Sequence, residues 1–151
     1  ANVVSLATFY RAWSVLALIH ETFTVETSER VSVQDVTDAV QQRVPTEIGQ
    51  GLCTVFVPHT TAGVTVNEAE AGLLEDVESV LASLVPADGG YAHDDVDDNA
   101  DAHLRSMLLG SSVTIPVTTG ELNLGTWQSV LFFEGDGPRR RTVEMSVIAS
   151  H

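Results

Sequence analysis

The fold is decided by the stretch LCTVFVPH, residues 52–59. Its first six residues form a strand-like, mostly apolar run, and the proline that follows has no amide hydrogen with which to continue a sheet. We therefore expect a buried strand that delivers His59 at its mouth. A second alternating run, with Val64 and Val66, also ends in polar residues, Asn67 and Glu68. Two strands that end in this way predict a site at one edge of a sheet.

Two further histidines come from other predicted elements. His93 follows a loop rich in proline and glycine, and His103 lies on a predicted helix over residues 99–109. Imidazole is the commonest metal ligand, and three protein ligands with an open fourth position are typical of catalytic zinc. The spacing 59, 93, 103 matches no short metal motif, so each histidine could instead be structural or solvated. We predict that His59, His93 and His103 converge as catalytic and metal-binding residues.

Two neighbours of these histidines are further candidates for a catalytic role. Asn99 lies four residues before His103, so the two share a face of the predicted helix. Glu68 could act as a general base or orient a histidine ring, and the alternative is an ordinary acid at a strand end. Both are therefore candidate catalytic residues.

Anion binding is suggested by three adjacent arginines that follow a turn at residues 135–138. In a strand, Arg139 and Arg141 face one way and Arg140 the other. Guanidinium matches phosphate in a bidentate way, although these arginines could equally neutralise nearby acids. The backbone and hydroxyl of Thr126, with Gln128 beside it, could bind the same anion. We predict a phosphate site made of Thr126, Gln128, Arg139 and Arg141.

Composition limits the class of protein. The chain has 151 residues, enough for one domain, and a formal net charge of −14 with no lysine. Such a chain should repel nucleic-acid phosphates. The surplus of acids favours a high-salt, halophilic cytoplasm, whereas a GC-rich genome would also explain the missing lysine. The single cysteine, Cys53, excludes an internal disulfide and is best explained as a small buried hydrophobe.

The order of predicted elements favours one α+β domain over residues 21–151. Residues 1–20 are interpreted as an N-terminal extension, because their apolar part is too short to span a membrane and no basic residue precedes it as in a signal peptide. The expected location is therefore the cytoplasm. A hairpin or broken strand is predicted over 23–33, helices over 34–44, 69–85 and 99–109, and strands over 112–117, 127–134 and 141–149. On the last helix, Leu104, Met107 and Leu108 are expected to face the core.

Several ordered motifs resemble the YjbQ-like family, whose members are often labelled secondary thiamine-phosphate synthase. The resemblance spans about 23–149 and rests on residues 59–62, 67–68, 86, 91–93, 99–103, 124–128 and 134–141. It implies a single compact α+β domain with two mixed, mainly antiparallel sheets packed with about three helices. It also implies a homotrimer with sites near subunit interfaces, and a divalent metal, zinc or magnesium, beside the three histidines.

The activity implied by the resemblance is that of a transferase. It would join a pyrimidine diphosphate to a thiazole phosphate and release pyrophosphate, with the arginines and a metal taking up the developing charge. Two alternatives use the same residues. One is a metal-dependent hydrolase of a small phosphorylated substrate, and the other is a non-catalytic trimer that binds an anionic metabolite.

Overall fold

The structure is a computed structural model that describes residues 16–150. Predictions for residues 1–15 lie outside this range. The first strand already begins at Leu16, so the boundary drawn after residue 20 falls inside a strand.

Residues 16–150 form eight strands and three helices. In chain order they are β1 (Leu16–Glu26), β2 (Ser32–Asp35), α1 (Thr37–Gln41), β3 (Gln50–Phe56), β4 (Ala62–Asn67), α2 (Ala71–Leu84), α3 (Ala100–Leu109), β5 (Ser112–Thr118), β6 (Glu121–Leu122), β7 (Ser129–Glu134) and β8 (Arg140–Ser150). A single 3₁₀ turn, Ala92–Asp95, precedes α3.

The strands make two sheets. One has the order β1-β8-β3-β5-β6 and the other the order β2-β7-β4. Every pairing within the described residues is antiparallel. The predicted α+β class with two mainly antiparallel sheets and three helices is confirmed.

One buried cluster joins the two sheets. It includes Cys53 and Met145 of the five-stranded sheet and Val64 and Phe132 of the three-stranded sheet. Burial raises the pKa of the Cys53 thiol to about 11, which agrees with its interpretation as a buried hydrophobe. The outer face of the three-stranded sheet is covered by α2 and α3, which enclose a small apolar cavity against Leu131 and Phe133. The five-stranded sheet, the three-stranded sheet and the layer made by α2 and α3 therefore stack in that order.

No element within residues 16–150 covers the opposite face of the five-stranded sheet. Large apolar side chains stand exposed on it: Leu18, Leu52, Phe56 and Ile148. This open face continues to the end of β3, where the predicted site begins.

Two local predictions near the start of the domain need correction. Of the two alternatives for segment 23–33, the hairpin is wrong, since β1 pairs with β8 and β2 pairs with β7. The predicted helix over 34–44 shrinks to α1, Thr37–Gln41. Gln34 and Asp35 are instead paired with Phe132 and Leu131 of β7, so hydrogen bonds to the sheet override the helical periodicity.

The third helix has the predicted bounds but the opposite orientation. Its buried residues are Ala100, Asp101, Ala102, Arg105 and Ser106. The apolar side chains that were expected in the core, Leu104, Met107 and Leu108, are exposed.

Candidate functional site

Two of the three predicted histidines are brought together. His93 lies in the 3₁₀ turn and His103 on the first turns of α3, and their ring centroids are 4.9 Å apart in an edge-to-face arrangement with an interplanar angle of 75°. Both rings border a small cavity together with Tyr91 and Leu104. His103 is therefore shared between this cavity and a larger groove on its other side.

That larger groove, here called the histidine groove, runs between the end of β3 and α3. Its volume is about 660 Å³. It is lined by Phe56, Val57, Pro58, His59, Thr60, His103, Ser106, Met107, Gly110 and Ser111. The predicted strand end thus delivers His59 to the same open groove as His103.

Beyond the end of β3, the side chain of His59 makes the next hydrogen bond to β8. Pro58 cannot donate to the ladder, and the backbone amide of Thr142 on β8 instead donates to Nε2 of His59 over 3.1 Å. Nε2 also lies 3.0 Å from the carbonyl oxygen of Thr142. We assign Nε2 as the acceptor of the Thr142 amide, and this assignment places the hydrogen of the neutral ring on Nδ1. In this tautomer the lone pair of His59 is already engaged.

Asn99 is buried in the interior. Its Nδ2 donates to Asp97 over 3.3 Å and to Asp136 over 3.2 Å, while its Oδ1 is buried without a protein partner. Burial alone would raise the pKa of Asp136, but the hydrogen bonds from Asn99 and Arg139 outweigh it and leave the pKa lowered. Asn99 therefore ties the start of α3 to the turn after β7 and does not line the groove.

The predicted arginines are already paired with carboxylates. Arg141 is buried and makes a bidentate contact with Glu134, with Nη2 to Oε1 at 2.6 Å and Nε to Oε2 at 2.7 Å, and Nη2 also donates to Thr61. Arg139 contacts Asp136 at 2.6 Å. Within β8, Arg140 faces solvent and Arg141 faces inward, whereas Arg139 precedes the strand. The second interpretation, that these arginines neutralise acids, describes both contacts.

Another buried ion-pair network supports α3 from the inside. Asp101 accepts two hydrogen bonds from Arg30, at 2.7 and 2.9 Å, and lies 3.1 Å from Arg105. The hydrogen bond from Arg30 is the main reason that the pKa of Asp101 is lowered. Arg105 also donates to the carbonyl oxygen of Val85, so that α3 is fastened to the end of α2.

The remaining predicted residues lie at the other end of the three-stranded sheet. Ser129 pairs with Asn67, whereas Glu134 pairs with Ala62 at the opposite end of β7. Five strand steps of about 3.4 Å separate these ends by about 17 Å. The residues at the far end are Glu68, Thr126 and Gln128. One subunit therefore does not bring them to the histidines or to Arg141.

The contacts that these three residues make are with their immediate surroundings. Gln128 accepts a hydrogen bond from the amide of Gly125 at 2.8 Å and so closes its own turn. Thr126 is exposed, and Glu68 borders the apolar cavity beneath α2. Nothing in these contacts tests the catalytic or phosphate-binding roles, which stay predictions.

Several residues of the site were not found from the sequence. Asp101 and Arg105 stand four apart on a helix, a spacing that signals an ion pair, and Glu134 closes the apolar run over 130–133. These signals were present in the sequence. The apolar groove wall made by Phe56 and Met107 had no such signal, because both residues fit an ordinary core pattern.

Within residues 16–150, no group of three or more His, Cys, Asp or Glu side chains is arranged to hold a metal ion. The pair His93 and His103 is the part of the predicted ligand set that lies in direct contact. The groove and the pair together are the candidate site.

Comparison with known proteins agrees with this architecture. A family model described as UPF0047 protein YjbQ-like matches residues 21–150. The chain belongs to the YjbQ-like family. A UPF0047 protein of Archaeoglobus fulgidus is 52% identical over 120 residues, which cover 80% of this chain and 94% of that protein. A UPF0047 protein of Mycobacterium tuberculosis is 43% identical and covers 82% and 93% of the two chains.

Solved structures of YjbQ-like proteins share the fold. A YbjQ-like protein of unknown function from Sulfolobus solfataricus superposes with a TM-score of 0.86 at 34% identity, covering 89% of this chain and 99% of its own. A hypothetical protein from Aeropyrum pernix gives a TM-score of 0.81 at 48% identity and covers 84% and 96%. The resemblance of the motifs to this family is thus confirmed, together with the fold.

The expected thiamine-phosphate synthase activity is overturned by the same relatives. These relatives are described as UPF0047 proteins, and the Sulfolobus solfataricus structure is described as one of unknown function. The family match therefore supports the fold and gives no support to that transfer reaction.

No helix within residues 16–150 is long and apolar enough to cross a membrane.

Proposed function

We propose that the chain binds a divalent transition-metal ion through His93 and His103, at the side of the histidine groove. The ring arrangement carries this proposal, since the centroids lie 4.9 Å apart. Two imidazoles on one tetrahedral zinc, each with a metal–nitrogen distance of about 2.1 Å, would have ring centres roughly 5 Å apart. The centre-to-centre spacing of the existing pair therefore matches that of two imidazoles on a shared ion.

The chemistry of the pair favours zinc over magnesium. Imidazole nitrogen suits zinc, copper and nickel, whereas magnesium prefers oxygen ligands and retains its water. A formal net charge of −14 also attracts cations to the surface of the chain. A bound zinc ion would supply a Lewis acid next to the groove, while His93 and His103 hold it in place.

His59 is the candidate for a third ligand. It lines the same groove as His103, but its Nε2 accepts the hydrogen bond from Thr142. His59 would have to give up that bond, or present the other nitrogen after losing its hydrogen, before it could bind a metal. A pair of ligands from His93 and His103, completed by water or by a bound molecule, therefore needs the least rearrangement.

Metal analysis of the protein purified without an affinity tag, after zinc loading and dialysis, tests the proposal. We expect His93→Ala and His103→Ala each to lower the zinc content per chain by roughly half or more, because each removes one of two neutral imidazole ligands. His20→Ala is the matched control, since His20 lies on β1 and contacts Ser146. Its zinc content should equal that of the wild type.

Unchanged zinc in both His93→Ala and His103→Ala would overturn the proposal. The variant His59→Ala tests separately whether His59 is a third metal ligand. A loss of zinc in that variant would make His59 a ligand, whereas retention would leave it as the residue that completes the sheet at Thr142.

A further inference from the structure

The histidine groove is lined without carboxylates or guanidiniums, as far as the described residues show. This is unusual in a chain with a formal net charge of −14. Its walls are mainly apolar and include Phe56, Pro58 and the exposed side chain of Met107. Its polar groups are imidazoles and hydroxyls, which carry no formal charge when the imidazoles are neutral.

The neighbouring guanidiniums already form ion pairs with carboxylates. Arg141 is buried against Glu134, and Arg139 holds Asp136. Moving Arg141 to an anion in the groove would leave Glu134, which is fully buried, without its countercharge. Breaking a buried pair in this way is strongly unfavourable. An anion in the groove would thus lose water without gaining a guanidinium partner.

We propose that the histidine groove binds an uncharged small molecule that has an apolar body and a hydroxyl or amide head. The inference goes beyond metal binding and does not require it, although the two sites share His103. The volume of about 660 Å³ lies within the range of small-molecule sites. The apolar body lies against Phe56 and Met107.

Two of the hydrogen-bonding groups in the groove, His59 and Ser106, specify the polar head. With Nε2 assigned as the acceptor of the Thr142 amide, the Nδ1–H of His59 is left to donate to an oxygen of the ligand. Ser106 donates its hydroxyl hydrogen to the carbonyl oxygen of Ala62 over 2.6 Å, so its Oγ can only accept from the ligand. A head that both accepts and donates satisfies this pair, as an alcohol or a primary amide does and a fully ionised phosphate does not.

Matched probes test the proposal in the metal-free protein. Benzyl alcohol and benzyl phosphate differ only in the charged group, and each would be titrated while backbone amide shifts are recorded by NMR. We expect benzyl alcohol to shift the amides of Phe56, Thr60 and Ser111. Benzyl phosphate should bind at least roughly tenfold more weakly, equivalent to about 1.4 kcal/mol, because it brings an unpaired charge into the groove.

A pair of variants tests the cause. Ser111→Arg places a guanidinium at the exposed rim of the groove and should strengthen the binding of benzyl phosphate relative to the alcohol. Ser112→Arg adds the same charge one residue later, on β5 and outside the groove lining, and should leave the preference for the alcohol unchanged.

Three results would overturn the proposal. These are tighter binding of benzyl phosphate than of the alcohol by the wild type, no shift with either probe, and shifts that follow protein concentration alone. The last result would assign the groove to a second copy of the chain. Because these titrations contain no metal and the zinc measurement contains no probe, failure of either proposal leaves the other measurable.

Discussion

The two faces of α3 are built from opposite kinds of residue. The inward face buries Asp101 and Arg105, which are 2% and 3% exposed, while Met107 and Leu108 on the outward face are 79% and 58% exposed. A surface helix ordinarily has the reverse arrangement. The inward charges are tolerated because Arg30 and Arg105 both contact Asp101, so no charge is buried alone.

The difference between the two faces shows that paired charges stabilise the interior of the protein. Ion pairs hold the interior beneath the site, at Asp101 and at Glu134. The outward face keeps apolar side chains for a groove wall and for contact with other molecules. The rule that apolar residues point inward fails at α3 for this reason.

The largest expected effect comes from breaking the inward face. Asp101→Ala should lower the free energy of unfolding by about 3–5 kcal/mol, because it leaves the buried guanidinium of Arg105 without a carboxylate. Urea unfolding measures the change. Asp95→Ala removes an equal charge from an exposed position and should cost within about 0.5 kcal/mol. Equal losses in the two variants would mean that the buried network is not what holds α3.

The pH dependence of stability sharpens the same point. The pKa of Asp101 is lowered in the folded state, first by the hydrogen bond from Arg30. Its contribution is therefore full above the unfolded pKa of about 3.9 and is lost as the pH falls through the lower folded value.

We expect the difference in urea midpoint between the wild type and Asp101→Asn to be largest at pH 7 and to narrow below about pH 4. Asp95→Asn serves as the comparison. A difference that stays constant from pH 7 to pH 3 would show that Asp101 does not stabilise the fold through its charge.

The smallest expected change in stability comes from a substitution on the outward face of α3. Leu108→Glu should alter the free energy of unfolding of one chain by no more than about 0.5 kcal/mol, since the side chain is exposed. If this face packs against another copy, as the predicted homotrimer allows, the mass measured by light scattering should fall to that of one chain. Leu84→Glu, at a similarly exposed position on α2, should keep the wild-type mass. An unchanged mass for Leu108→Glu would remove this face from the contact.

The sequence predicted the elements better than their partners. The run from Leu52 to Val57 and the helices that became α2 and α3 were found because hydrophobic periodicity and turn residues act locally. The separate pairing of β1 and β2 was missed, since both partners come from the last part of the chain. Long-range pairing leaves no trace in the local pattern.

The candidate site was predicted in part. Pro58 marked the end of β3 at His59, and His103 was placed on a helix, but that both line one groove is seen only in the structure. The sequence could not show that Thr126 and Gln128 start β7 while Arg141 pairs with its end, because that depends on strand register. The sequence also could not show which carboxylates form ion pairs with the arginines.

The position of β8 has a consequence for how the protein folds. This strand lies between β1 and β3, and Leu16 of β1 is paired with Ser150 of β8. During synthesis β1 leaves the ribosome before β8, so it remains without this partner until β8 has emerged. Such distant pairing makes folding slow and leaves apolar strands open to association. Nascent chains of this protein should therefore depend on chaperones, and shortening β8 should harm yield in cells more than cuts of equal size elsewhere.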